Sequence, residues 1–177
     1  MSIYAPKPDK TDKSKFLPTP EPTIFVCTAV IDLGLKASRN KPDDYKHKIG
    51  LLFEVAEKDE KGKHKTVYSE FTLSLYDQSA LYKFLTAWLG KPVPEDYDLS
   101  RLLGVTGFGS LVQNGDFVNL QSPMPVPKGM SAFTDVNIYP EGTGPTWIKK
   151  GQPIRIEPVS TGDIPADEAP AEDDIPF

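Results

Sequence analysis

Between residues 23 and 120 the apolar positions switch from a period of two to a helical period and back, and each switch marks an element. Residues 24–31 read Ile-Phe-Val-Cys-Thr-Ala-Val-Ile, β-branched and apolar without helical spacing, which predicts a core strand. Asp32-Leu33-Gly34 then breaks or bulges it, and residues 36–45 form a polar loop. Residues 46–57 alternate: His47, Ile49, Leu51, Phe53 and Val55 fall on one face, and Lys46, Lys48, Leu52 and Glu54 on the other. That is a strand with one buried side and one mixed side. A charged turn around Gly62 leads into residues 66–75, where Val67, Phe71, Leu73 and Leu75 oppose Tyr68, Glu70, Thr72 and Ser74. The two strands make a long antiparallel hairpin.

Leu81, Phe84, Leu85 and Trp88 then repeat at i, i+3, i+4 and i+7, one apolar face of a helix. Asp77 or Ser79 caps its start, Gly90 suits a left-handed C-terminal cap, and Pro92 prevents continuation. Residues 98–104 read as a short helical turn. Two more strands, residues 105–112 and 117–120, join across Asn114-Gly115, a hairpin turn signal. Beyond Gln121 the prolines at 123, 125 and 127 and the weakly patterned run past Trp147 to residue 156 suit an extended strap over the core. Strand, strand, strand, helix, strand, strand is the order of a mainly β, five-stranded OB-type Greek-key barrel, with its helix between strands three and four.

The ends of the chain are different in kind. Residues 1–22 hold Pro6, Pro8, Pro18, Pro20 and Pro22 with Lys7, Lys10, Lys13 and Lys15, which predicts a flexible arm. Residues 161–177 are predicted to be a disordered acidic tail, because they cannot bury enough apolar surface to offset ordering. A single OB domain is left at residues 23–160. The net charge of the 177-residue chain is −5, but six acidic groups lie in residues 163–177, so residues 1–162 carry +1. An acidic total therefore does not exclude a nucleic-acid partner. The single cysteine, Cys27, excludes an intramolecular disulfide. With no apolar run of about 18 residues and no apolar signal core, a soluble, cytoplasmic protein with no membrane partner is expected.

Glu172-Asp173-Asp174-Ile175-Pro176-Phe177 ends the tail: carboxylates lead into two large apolar side chains that a merely solubilising tail does not need. This ending resembles the acidic tip of bacterial-type single-stranded-DNA-binding proteins. The resemblance implies that Asp173, Asp174, Ile175, Pro176 and Phe177 recruit replication, recombination and repair enzymes. A second resemblance covers roughly residues 25–130. Phe71-Thr72-Leu73-Ser74-Leu75, Ser79-Ala80-Leu81, Trp88-Leu89-Gly90-Lys91, Asp98-Leu99, Leu102-Leu103-Gly104 and residues 125–130 are similar to a family of bacteriophage single-stranded-DNA-binding, OB-fold replication proteins. It implies sequence-independent strand binding during phage replication and recombination, in the host-cell cytoplasm; monomer and dimer both stay open, since the sequence does not give the oligomeric state. The alternative is an OB-fold replisome adaptor whose barrel binds proteins and no nucleic acid.

Non-specific strand binders combine backbone-tracking cations with rings on which bases stack. The mixed hairpin face offers Lys46, Lys48 and Tyr68; the preceding loop adds Lys36, Arg39, Lys41 and Tyr45; the turn adds Lys61, Lys63 and Lys65. Tyr45 and Tyr68 are either stacking platforms or ordinary surface rings. Phe108 and Phe117 stand between core and platform, whereas Phe53, Phe71 and Trp88 lie on apolar faces and belong to the core. Catalysis is not expected, nor any cofactor. One cysteine with two histidines, His47 and His64, does not make a usual zinc set. His47 falls on the apolar face, where a buried, hydrogen-bonded histidine is expected. Gly104-Val105-Thr106-Gly107-Phe108-Gly109 looks like a phosphate loop but begins a strand and precedes no helix. Asp43-Asp44 has no partners for acid–base work.

Overall fold

Five strands form one sheet in the computed structural model, which describes residues 17–38 and 40–151. They are β1 (Pro22–Ala37), β2 (Tyr45–Lys58), β3 (His64–Thr72), β4 (Thr106–Asn114) and β5 (Phe117–Met124), with helix α1 (Ala80–Leu89) between β3 and β4. The spatial order is β3-β2-β1-β4-β5 and every pairing is antiparallel. The outermost strands, β3 and β5, approach within 8 Å between Cα atoms, yet no ladder joins them. Val67 and Phe71 of β3 and Val118 and Leu120 of β5 pack into one apolar core instead. Side chains, not hydrogen bonds, occupy the seam that a closed barrel would zip.

β1 runs longer than its apolar stretch because two bulges let it turn. The register with β2 shifts between Cys27 and Ala29 and again between Asp32 and Gly34. At the second bulge Gly34 adopts φ 69° and its N–H donates to Asp32 Oδ1 at 2.8 Å. Leu35, Lys36 and Ala37 then keep pairing, with His47, Lys46 and Tyr45, so the polar loop shrinks to residues 38–44. β5 also outruns its expected end at Leu120. Ser122 takes φ 50° at a register shift opposite Phe108 and Ser110, and that bulge carries Pro123 within the strand.

Helix α1 sits against the core face of the sheet. Ser79 Oγ accepts from the Tyr82 N–H at 3.1 Å, and Gly90 closes the helix at φ 70° with its N–H on Thr86 O at 3.0 Å. Leu81, Leu85 and Trp88 are buried. The Trp88 ring lies 5.4 Å from Phe25 and 5.6 Å from Phe53, and its Nε1–H donates to Thr106 O at 2.9 Å. A Cβ at Gly107 would overlap both Phe25 and Trp88. The glycine-rich stretch of β4 thus clears space for core rings. Asp98 caps a 3-10 turn at Leu99–Leu102 by accepting from Ser100 N–H at 3.0 Å. Among the described residues, no helix is long and apolar enough to cross a membrane.

The opposite face of the sheet carries a second, smaller core of Ala29, Ile31, Leu33 and Leu52, with Tyr68 at its margin. Residues 133–151 cross this face as a strap. Their N–H groups reach β1 carbonyls: Tyr139 to Thr28 at 2.8 Å, Gly142 to Val30 at 3.1 Å and Gly151 to Leu33 at 2.6 Å. Ile148 and Tyr139 supply the apolar contacts.

Candidate nucleic-acid interface

Cross-strand register decides which side chains share the outer face. Lys36 stands opposite Lys46, Gly34 opposite Lys48, and Lys48 opposite Thr72; then Gly50 faces Glu70 and Leu52 faces Tyr68. The alternation of residues 46–57 therefore places Lys46, Lys48 and Tyr68 on one side of the sheet, as the sequence predicts. Their surroundings differ along the strand. At the β2 start the lysines reach solvent beside Tyr45, which is 49% exposed. Lys36 Nζ donates to Glu70 at 2.9 Å, Lys48 Nζ to Thr72 Oγ1 at 2.9 Å, and Lys46 lies 3.8 Å from Asp44. The two ion pairs, at the surface, are weak and exchangeable.

Three turns of pleat further on, the face is covered. Tyr68 lies over Gly50, where any Cβ would strike its ring at 2.6 Å, and meets Trp147 of the strap edge-on at 5.8 Å. Burial, then the neighbouring Glu70 carboxylate that accepts its hydroxyl, push the Tyr68 phenol well above the ordinary tyrosine value. The ring is a partly buried support for the strap.

The other candidates separate. Lys63 and Lys65 stand at the turn end of the hairpin, remote from Lys46 and Lys48. Lys65 is tied to Glu57 at 2.6 Å and Leu17 O at 3.1 Å, and the Lys61 and Lys63 N–H groups donate to Asp59. Phe108 pairs with Ile24 at the start of β1, the end opposite Lys36. Phe117 is 72% exposed at the β4–β5 turn. Neither belongs to the main core, and neither joins the lysine group. Lys41 sits in the loop after β1, its carbonyl accepting from Asp44 N–H at 3.0 Å. Arg39 and the tail residues Asp173, Asp174, Ile175, Pro176 and Phe177 lie outside the described residues, as do most of the N-terminal arm and residues 152–160.

The strap brings to the lysine end residues that sequence reasoning passed over. Lys149 O accepts from Lys36 Nζ at 3.4 Å. Partial burial opposes ionisation of Asp32, but the Gly34 N–H, His47 and the Lys150 charge hold its carboxyl below the usual range. Trp147, 58% exposed, precedes both lysines. The pair Lys149-Lys150 after a tryptophan was visible as a motif, but nothing in its spacing says which face it meets.

The buried, hydrogen-bonded histidine is His64 and not the expected His47. His47 is partly exposed and meets Asp32 Oδ1 at 2.7 Å; it lies near the end of the β1–β2 ladder opposite Leu35, which is only partly buried and belongs to neither apolar cluster. His64 is the buried one: Nδ1 meets Val55 O at 2.7 Å, Nε2 meets Asp135 Oδ1 at 3.0 Å, and Phe133 stacks on it at 4.1 Å. Burial pushes the Cys27 thiol up to about 12, so it stays protonated at neutral pH. Among the described residues no three His, Cys, Asp or Glu side chains gather as a metal set. Scans of family models, of curated proteins and of solved structures give no match to this chain.

Asp135 anchors the start of the strap, and its ionisation should be felt in stability. Hydrogen bonds from Lys58 and then His64 hold its carboxyl below the ordinary value of 3.8, against a smaller desolvation effect; burial and the Asp135 charge in turn push the nearby Glu54 up. A folded-state value below the unfolded one stabilises above the unfolded value and loses that contribution as pH falls through the folded one. Asp135→Asn is therefore expected to lower Tm at pH 7, with the gap from the parent closing as pH drops below about 4. A gap that stayed constant to pH 2 in paired thermal melts would show that the charge of Asp135 is not what holds the strap.

Proposed function

We propose that this chain is a sequence-independent single-stranded-DNA-binding protein of the OB type that holds strand on the outer face of β1 and β2. The fold reading rests on the strand order, which is that of an OB barrel cut at the β3–β5 seam, with the helix in its place between β3 and β4. The functional reading is carried by one observation: Lys36 and Lys46 stand directly opposite, with Lys48 next on the same face. Like charges placed opposite on a sheet cost stability, and a polyanion lying across them relieves that cost. Phage replication and recombination are the setting that suits such a binder, and the Asp173–Phe177 motif is its recruiting segment for partner enzymes.

A second reading, an OB-fold adaptor without nucleic-acid binding, is favoured by the strap over Leu52 and Tyr68 and by the carboxylates beside Lys36 and Lys46. Salt separates the two. A strand binder releases counterions, so log K falls with log salt at about 0.7 per phosphate neutralised on a single strand. Anisotropy titration of a labelled oligo-dT and of a duplex, from 50 to 200 mM salt, is expected to show a steep slope and preference for the single strand. An affinity that is absent at low salt selects the adaptor.

A further inference from the structure

The strap and the lysine end of the sheet meet in one place. Trp147 keeps one edge against Tyr68, at 5.8 Å and 82° between ring planes, and leaves most of its surface in solvent. Folding alone gives no reason to expose the largest apolar side chain on a segment otherwise pinned by backbone hydrogen bonds. Directly after it the strap settles on β1. A Cβ at Gly151 would overlap the Leu35 carbonyl and approach Lys36 Cγ at 2.5 Å, so the backbone there lies on the strand. Lys149 and Lys150 are thereby fixed beside Lys36, whose ammonium already reaches Lys149 O.

We infer that Trp147 is a base-stacking platform of this protein, and that Lys149 and Lys150 with Lys36 hold the phosphates on either side of the stacked base. The inference deepens the single-strand reading and rests on it. The strap then forms the upper half of the binding surface, and the strand runs over it, not beneath it. Glu70 and Asp32 are the carboxylates at this place. Glu70 is paired with Lys36 at 2.9 Å, and Asp32 meets His47 Nε2 at 2.7 Å and feels the Lys150 charge. Exchange of these surface pairs for phosphate contacts is a small cost in high dielectric. Basic side chains on the segment that carries an exposed aromatic ring are also what single-strand channels use, since every base offers a π-face.

The chain carries two tryptophans, and they report separately: Trp88 is 1% exposed, Trp147 58%. Adding oligo-dT to the full chain should quench tryptophan fluorescence, and Trp147→Phe should abolish the quench while keeping most of the affinity measured by anisotropy of the labelled oligonucleotide. Trp147→Ala should weaken binding about 5- to 150-fold, one stacked base. Lys149→Ala with Lys150→Ala should lower the salt slope by about 1.4, two phosphates. Thermal melts of each variant check that the sheet is intact. Oligo-dT that binds without quenching, with Trp147→Ala binding as tightly as the parent, overturns the platform and leaves the strand-binding reading standing. A parent chain that does not bind oligo-dT at 50 mM salt overturns both.

Discussion

Trp88→Ala should lower the unfolding free energy by about 3–5 kcal/mol. Trp88 is the largest of the fully buried side chains. Its ring packs against Phe25, Phe53 and Phe84, and Leu81 and Leu85 of the same helix share the cluster. Truncation loses the transfer free energy of the indole and leaves a cavity bounded by rings that cannot all collapse into it. It also leaves Thr106 O without its indole donor, an additional loss of about 1 kcal/mol. For a chain of this size each kcal/mol moves Tm by about 2–4 °C, so a drop of about 6–20 °C should appear in a circular-dichroism melt. Trp88→Phe should cost less, because the ring remains. A shift below about 2 °C for the alanine variant would mean that α1 does not seal the core.

The largest effect on binding is expected from Lys46→Ala with Lys48→Ala. Each ammonium that contacts a phosphate contributes a charge-assisted hydrogen bond of about 1.5–3 kcal/mol. Loss of both should weaken oligo-dT by about a hundredfold or more at low salt, with the salt slope falling by about 1.4. The fold should survive. Lys46 has only a 3.8 Å approach to Asp44, and Lys48 a hydrogen bond to Thr72, so neither supports the core. Lys63→Ala with Lys65→Ala, at the far end of the hairpin, should leave the slope unchanged. If the two double variants behave alike, the strand is not held at the β2 start.

How much of this was legible beforehand follows from where periodicity exists. The faces of β2 and β3 could be read directly, because a period of two over residues 46–57 fixes which side chains oppose the core. The same holds for α1, whose cap residues Ser79 and Gly90 stand where their chemistry demands. Alternation names a face, however, and is silent about what covers it. The strap is held by N–H groups of Tyr139, Gly142 and Gly151 on β1 carbonyls, and by single side chains such as Ile148. Backbone donors leave no trace in a sequence, and isolated apolar residues have no period. For that reason Tyr68 read as an open ring, and the strap expected through Trp147 came without the face it crosses. The histidines show the same limit: His47 follows the apolar phase but sits at the rim of the core, while His64, in a charged turn by sequence, is buried by Phe133 and Asp135.

The central claim is a location, and heteronuclear NMR of the full-length chain titrated with oligo-dT tests it most directly. Amide shifts are expected at Lys36, at Tyr45 through Lys48, at Thr72 and at Trp147 through Lys150, falling off as salt rises. The Trp147 indole N–H should move, and the Trp88 indole, bonded to Thr106 O inside the core, should stay. Shifts confined to Phe108 and Phe117 on β4–β5, or to the turn at Lys61 to Lys65, would contradict the account.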